Sequence, residues 1–157
     1  MMKQLRRILP AALAVLLLGA APMAAAERLE CIVADGQYVN VRNQASTDAA
    51  TWGVLHTGDV IDADPAQIRN GFFKTTYHDR VAYVSVRFFE IDVGQNYIVE
   101  ANGRVRMRKS PGGSADGFIQ PGKRVHVAAW RYGADGSKWA RCTGGSYISA
   151  DYLVPEI

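Results

Sequence analysis

The chain has 157 residues, 48% of them hydrophobic and 21% charged, which excludes an intrinsically disordered protein and allows one ordinary domain or two small ones. Its formal charge of +3 comes entirely from the N-terminal segment 1–26, where Lys3, Arg6 and Arg7 have no acidic counterpart. The remaining chain is neutral, so its charge gives no indication of nucleic-acid binding, and no nucleic-acid partner is expected.

The N-terminal segment has the order of a secretory signal peptide. A basic stretch at residues 3–7 is followed by an apolar run at 8–19 and by small residues at 24–26. This order predicts cleavage after about Ala26, which makes the protein periplasmic or secreted, with no stable membrane span after cleavage. An uncleaved membrane anchor is the alternative, because the uncharged stretch at 8–26 approaches the length that spans a bilayer.

The rest of the chain is predicted to consist of β-strands. Hydrophobic and polar residues alternate in four short stretches, at Val39–Val41, Ile61–Ala63, Val105–Met107 and Val125–Val127. Asn70-Gly71 and Asp135-Gly136 favour tight turns, and each precedes a predicted strand pair, 72–77 with 80–84 and 138–142 with 145–149. No long stretch between these elements has a helical period, so the fold class is predicted to be all-β.

These patterns occur twice in the same order, with a nearly constant offset between the copies. The matching blocks are Val39-Asn40-Val41-Arg42 with Val105-Arg106-Met107-Arg108, Gly53-Val54-Leu55 with Gly117-Phe118-Ile119, Phe73-Lys74 with Trp139-Ala140-Arg141, and Ala82-Tyr83-Val84-Ser85 with Ser146-Tyr147-Ile148-Ser149. The duplication predicts two modules, residues 27–92 (the first half) and 93–157 (the second half), with a linker near 92–102 that could begin the second module's sheet.

In this order the blocks resemble the bacterial SH3 (SH3b) domain family, and they do so twice. The resemblance covers nearly all of the chain after the signal peptide. It implies two tandem small SH3-like β-barrels that act as binding modules. Relatives of this kind commonly accompany cell-wall enzymes and contact peptidoglycan or its peptides, and others bind proteins.

The two cysteines, Cys31 and Cys142, are predicted to form a disulfide. Export would place them in an oxidising compartment, where thiols tend to pair. Their bridge would close a very long loop and add roughly 4–5 kcal/mol of stability in the chain-entropy model. Two buried thiols or an intermolecular link are the alternatives.

No residues with the spacing of an active site were found. The three histidines, His56, His78 and His126, have no metal-ligand spacing, and the only candidate nucleophile, Cys142, is better explained as a disulfide or core cysteine. The glycine pairs have the character of turns and lack the pattern of a phosphate-binding loop. We therefore predict no catalytic residue, no cofactor and no metal site, and a protein that is not an enzyme.

The candidate ligand-binding residues are aromatic side chains near predicted loops and polar side chains on the repeated strands. They are Tyr38, Asn40, Arg42, Trp52, Tyr77, Tyr83, Arg106, Arg108, Trp130, Tyr132 and Tyr147. Core packing is the alternative for the aromatic members, above all for Tyr83 and Tyr147, which match between the halves.

The two halves differ in charge. The first half has more acidic than basic residues, whereas the second has more basic than acidic residues. Arg104, Arg106 and Arg108 alternate on one predicted strand face, and with Lys109, Lys123 and Arg124 they could form an anion-binding patch. A solvated outer face is the alternative.

Two functions are compatible with the sequence. The first is an exported, non-catalytic tandem SH3b protein that recognises peptidoglycan or its peptides in the cell envelope. The second is a secreted protein–protein interaction, inhibitor or scaffold module, whose partner would be an envelope protein.

Overall fold

The structure, a computed structural model, describes residues 26–157. This part of the chain contains β-strands and three single-turn 3-10 helices but no α-helix, so the predicted all-β class is confirmed. None of these helices has the length and hydropathy that crossing a membrane requires. The predicted signal peptide lies outside the described residues, apart from Ala26.

The strands in chain order are β1 (Glu27–Cys31), β2 (Val39–Arg42), β3 (Thr51–Leu55), β4 (Val60–Ala63), β5 (Phe72–Tyr77), β6 (Arg80–Ser85), β7 (Phe89–Val99), β8 (Val105–Arg108), β9 (Ala115–Ile119), β10 (Arg124–Tyr132), β11 (Lys138–Cys142), β12 (Tyr147–Ser149) and β13 (Leu153–Pro155). The 3-10 helices are Pro65–Gln67, Val86–Phe88 and Ala150–Tyr152. The last two follow β6 and β12, at corresponding places in the two halves.

The strands form two sheets, and within the described residues neither sheet is closed by backbone hydrogen bonds. The smaller sheet has the order β3-β2-β6-β5, and the larger has the order β4-β1-β7-β10-β11-β12-β8-β9, with β13 also pairing with β7. The β-barrels that the resemblance implied are therefore not closed in this structure. In the first half, the Thr75 hydroxyl of β5 donates to the Asp62 carbonyl oxygen of β4 (2.9 Å), and no backbone ladder joins these two strands.

Strand β7 joins the two halves without a break. Its first residues pair with β1, where Phe89 lies opposite Cys31, and its remainder pairs with β10, where Tyr97 lies opposite Val125. The segment predicted as a linker, 92–102, is therefore mostly strand, and the boundary predicted after residue 92 falls inside β7. The second part of β7 begins the sheet of the second half, as the sequence indicated.

The predicted pairing of β5 with β6 and of β11 with β12 is present. Phe73 lies opposite Val84 in the first half, and Ala140 lies opposite Ile148 in the second. All four side chains are fully buried. The position that corresponds to Phe73 is therefore Ala140, and not Trp139 as the sequence blocks indicated.

Each half has its own hydrophobic cluster, but the first cluster also contains a residue of the second half. Phe73 packs edge-on against Phe89, with ring centroids 6.2 Å apart, and against Tyr132 of β10 at 5.8 Å. Tyr132 is 5% exposed and belongs to the first cluster. Packing between the halves is thus part of the core.

The same hydrogen bonds recur at corresponding turns of the two halves. Gly58 and Gly122 both have positive φ, +88° and +78°, which glycine adopts without strain. The recurring bonds are Gly58 N to Cys31 O (2.9 Å) with Gly122 N to Val99 O (2.8 Å), Ile32 N to Phe88 O (2.8 Å) with Glu100 N to Tyr152 O (2.8 Å), and Arg42 Nη1 to Ala49 O (2.8 Å) with Arg108 Nη1 to Gly113 O (2.7 Å).

The predicted disulfide is wrong, because the two thiols are unpaired and lie in different cores. Cys31 belongs to the first cluster and Cys142 to the second, and both are buried. Burial raises the pKa of Cys142 to about 11 and raises that of Cys31 as well. The halves are joined by β7 and by side-chain packing and ion pairs, and no cross-link holds them.

We expect the chain to contain two thiols when it is purified without reductant. In denaturant, a chromogenic thiol reagent should react rapidly with both cysteines. In the native state at pH 8 the same reaction should be much slower, because the buried thiols are protonated and inaccessible. Absence of reactive thiols in the denatured, unreduced chain would instead establish a disulfide, intrachain or intermolecular.

Candidate ligand-binding grooves

A large cleft lies in the second half, between β8 and the 3-10 helix Ala150–Tyr152. Its volume is about 810 Å³. Arg106 of β8 lies directly opposite Phe118 of β9, and Arg104 precedes it by two positions on the same side of the chain. Both guanidinium groups lie over the exposed Phe118 ring, Arg104 at 4.1 Å and Arg106 at 5.7 Å from its centroid. We call this cleft the arginine groove.

Acidic and aromatic side chains complete the arginine groove. Glu100, Asp151 and Tyr152 also line it. Among residues 26–157, no ion pair engages Arg104, Arg106, Glu100 or Asp151. The Asp151 carboxylate accepts a hydrogen bond from the Ser149 hydroxyl at 3.3 Å. The groove therefore presents charges of both signs to solvent.

Arg42 and Arg108, both predicted ligand-binding residues, are partly committed to the turns that follow their strands. Each donates one hydrogen bond to a main-chain carbonyl of its own half, Arg42 to Ala49 and Arg108 to Gly113. The Arg108 guanidinium also lies 5.9 Å from the Trp139 ring centroid. Both residues line grooves, but they also hold the walls of those grooves in place.

A smaller groove of about 280 Å³ occupies the corresponding place in the first half. In the alignment of the two halves, Tyr38 and Asn40 take the positions of Arg104 and Arg106. Likewise, Arg87 and Phe88 take the positions of Asp151 and Tyr152. The predicted residues Tyr38, Asn40 and Arg42 are thus brought together, in a groove without an acidic side chain.

A third cleft, of about 570 Å³, lies between the halves. Phe72 and Arg87 line both this cleft and the first-half groove, so the two are adjacent. Pro111 and Arg131 line it from the second half. Arg131 forms an ion pair with Glu90 (Nε to Oε2, 3.4 Å).

Trp52 and Tyr77 meet at a small surface cleft of about 120 Å³. The Arg80 guanidinium lies 5.5 Å from the Trp52 ring centroid. The Tyr77 ring lies against Gly53, where an added Cβ would fall 2.2 Å from the tyrosine hydroxyl, so a side chain at this position would displace the ring. Tyr83 lies opposite Arg42 and is half-buried, outside these clefts.

The three remaining predicted residues, Trp130, Tyr132 and Tyr147, pack between elements. Trp130 packs edge-on against Tyr97 at 5.3 Å, and the buried Tyr147 accepts a hydrogen bond from Arg131 Nη1 (3.2 Å). Tyr132 donates to the carboxylate of Glu27. Burial, followed by that bond, raises the pKa of Tyr132 far above its usual range. Tyr132 also reaches one wall of the cleft between the halves.

The sequence did not single out Phe118, Tyr152, Glu100 or Asp151 as groove residues. Phe118 entered the sequence comparison only as part of the block that aligns with Gly53-Val54-Leu55, and the residue is 48% exposed. Of the predicted anion patch, Arg104, Arg106 and Arg108 line the groove. Arg124 forms an ion pair with Glu156, and neither Lys109 nor Lys123 lines the groove.

No cluster of three or more His, Cys, Asp or Glu side chains that could hold a metal ion occurs in residues 26–157. The arrangement offers charged and aromatic surface for binding.

Comparisons with known proteins give remote structural likenesses. No protein-family model and no curated protein matches the chain. NlpC2 from Trichomonas vaginalis has a TM-score of 0.36 at 12% identity, with 85% of this chain and 49% of NlpC2 covered. NlpC1 from the same organism has a TM-score of 0.36 at 15% identity, with 94% and 52% covered. The CBD of endolysin LysPBC5 has a TM-score of 0.32 at 14% identity, with 87% and 97% covered. The chain spans about half the length of the two NlpC proteins.

Proposed function

We propose that this protein is an exported, non-catalytic binding protein that recognises the peptides of peptidoglycan in the cell envelope. The observation that carries the proposal is the arginine groove. Arg104 and Arg106 lie side by side over Phe118 and have no acidic partner among the described residues. Arginine binds carboxylates with paired hydrogen bonds, and peptidoglycan peptides are rich in carboxylates.

We further propose that the chain consists of two diverged copies of an SH3b-like module. The repeated sequence blocks and the recurring turn hydrogen bonds support this reading. The copies share β7, where the first module ends and the second begins. Export by a cleaved signal peptide, to the periplasm or outside the cell, belongs to the same proposal.

Binding to purified sacculi tests the proposed function. The wild-type protein should sediment with sacculi at physiological salt, and the double variant Arg104→Gln/Arg106→Gln should lose most of this retention, about tenfold or more in affinity. Binding should weaken as salt rises, because the groove is exposed.

The matched control is Arg28→Gln/Lys123→Gln, which removes the same charge from exposed residues outside the groove. It should sediment almost like wild type. Equal loss in both variants would reduce the interaction to non-specific charge attraction, and no sedimentation of the wild-type protein would remove the proposal.

A second candidate is a protein-interaction or inhibitor module. The cleft between the halves favours it, because Phe72, Val86 and Pro111 give its walls an apolar character. An envelope protein that binds the wild-type chain but not Pro111→Arg would support this candidate. Equal binding by both chains would count against the cleft.

A further inference from the structure

The arginine groove differs in charge pattern from the corresponding groove of the first half. Arg106 lies on β8 and Arg104 directly precedes that strand. Glu100 and Asp151 line the opposite side of the groove, near the 3-10 helix Ala150–Tyr152. The Glu100 amide donates to the Tyr152 carbonyl (2.8 Å), which places Glu100 and Asp151 on neighbouring segments.

Neither acidic residue has an equivalent in the first half. The recurring bond from Ile32 N to Phe88 O places Ile32 where the second half has Glu100. Arg87 occupies the position that corresponds to Asp151 of the second half. The combination of positive and negative side chains in one groove therefore belongs to the second half alone.

The acidic and basic side chains of the arginine groove do not neutralise one another. No ion pair joins them, although all four line a single cleft of about 810 Å³. A purely anionic ligand would be attracted by the two arginines and repelled by the two carboxylates. A ligand with both charges gains from both, because complementary potentials stabilise a complex and like charges oppose it.

We propose that the arginine groove binds a zwitterionic amino-acid end, in which an ammonium and a carboxylate are attached to one carbon. The carboxylate is held by Arg104 and Arg106, and the ammonium lies towards Glu100 and Asp151. The Phe118 ring packs against the aliphatic chain that leads to this end. The inference rests on the proposed function and names the part of a peptidoglycan peptide that is recognised.

Calorimetric titration with three synthetic peptides tests the inference. The parent is L-Ala-γ-D-Glu-meso-diaminopimelate, whose side-chain end carries both charges. The other two are the same peptide acetylated on the amine of that end and the same peptide amidated on its carboxylate. Each modification should weaken binding to the wild-type protein about tenfold, through loss of charge-assisted hydrogen bonds.

The variant Glu100→Gln/Asp151→Asn should bind the parent and acetylated peptides equally, and it should still discriminate against the amidated peptide. The control Asp35→Asn/Asp48→Asn removes two exposed carboxylates outside the groove and should behave like wild type.

Equal wild-type affinity for the parent and acetylated peptides would overturn the zwitterion inference and leave the proposed function standing. Loss of discrimination in the control variant would also overturn it, since net charge would then be the cause. Binding of none of the three peptides would overturn the proposed function together with the inference.

Discussion

Replacement of Phe73 by alanine is expected to destabilise the protein by about 4 kcal/mol, because it leaves a cavity in a fully buried site. The effect should reach the second half, since Phe73 packs against Tyr132 of β10 as well as against Phe89. A loss of this size is a large fraction of the stability of a small domain.

Urea unfolding followed by tryptophan fluorescence measures this coupling. In a Trp52→Phe background the remaining tryptophans, Trp130 and Trp139, both lie in the second half. If the halves unfold together, Phe73→Ala should lower the unfolding free energy that Trp130 and Trp139 report by the full amount of about 4 kcal/mol. An unchanged midpoint would show that the second half is stable without the first.

Phe118→Ala is the matched control for the loss of a phenyl ring. Phe118 is 48% exposed, so its removal should change the unfolding free energy by less than about 1 kcal/mol. The same substitution should weaken ligand binding, because the ring supports Arg104 and Arg106. Stability and binding are thereby assigned to different phenylalanines.

The strands could be predicted from the sequence because hydrophobic alternation is local. Val39 and Val41 are buried in β2 as expected. The Asn70-Gly71 turn has positive φ at both residues, +50° and +77°. The turn between β5 and β6 was less visible, since His78 takes φ of +47° without a glycine to mark it.

The residue of the second half that corresponds to Phe73 was mispredicted, because strand register is not a local property. A shift of one residue moves every side chain to the other face of a sheet. The blocks aligned Phe73 with Trp139, but the sheets place Ala140 at that position. No sequence pattern indicated that Tyr132 fills space in the first core.

The cysteines carried a signal that favoured burial over a disulfide. Cys31 is two positions after the buried Leu29, and Cys142 is two positions after the buried Ala140. In a strand, alternate residues share a face, so each thiol points into the core of its own half. An oxidising compartment favours thiol pairing, but burial in separate cores keeps these two thiols apart.

Only part of the arginine groove could be predicted, because strand pairing is not visible in the local sequence. Alternation alone placed Arg104 and Arg106 on one face, because both lie along one short segment. Glu100 and Asp151 are far apart in the chain. Only the strand pairing that brings the end of β7 beside the 3-10 helix Ala150–Tyr152 places both acidic residues in the groove.

Glu90 is expected to be the most important charged residue for stability. Its carboxylate accepts two hydrogen bonds from Arg141, from Nε at 3.0 Å and from Nη2 at 2.9 Å. It is also the ion-pair partner of Arg131, whose buried Nε has no hydrogen-bond acceptor among the described residues. The Glu90 side chain is 14% exposed, and it faces two partly buried arginines of the second half, Arg131 at 21% and Arg141 at 33% exposure.

Glu90→Gln should therefore cost about 2 kcal/mol, because it removes the charged hydrogen-bond acceptor of two partly buried arginines. Equilibrium unfolding in urea measures the loss. The control is Glu156→Gln, which breaks the ion pair with Arg124, whose side chain is 64% exposed. That change should cost less than about 1 kcal/mol, because water replaces the partner of an exposed charge.

The double variant Glu90→Gln/Arg141→Gln separates the cost of unpaired charge from the loss of a contact. If uncompensated charge is the cause, removal of Arg141 as well should restore part of the stability lost in Glu90→Gln, and the two effects should be less than additive. Strict additivity, or a Glu90→Gln cost no larger than that of Glu156→Gln, would contradict this account. The halves would then be held together by the Phe73–Tyr132 packing and the β7 backbone, without an electrostatic contribution from the ion pairs of Glu90.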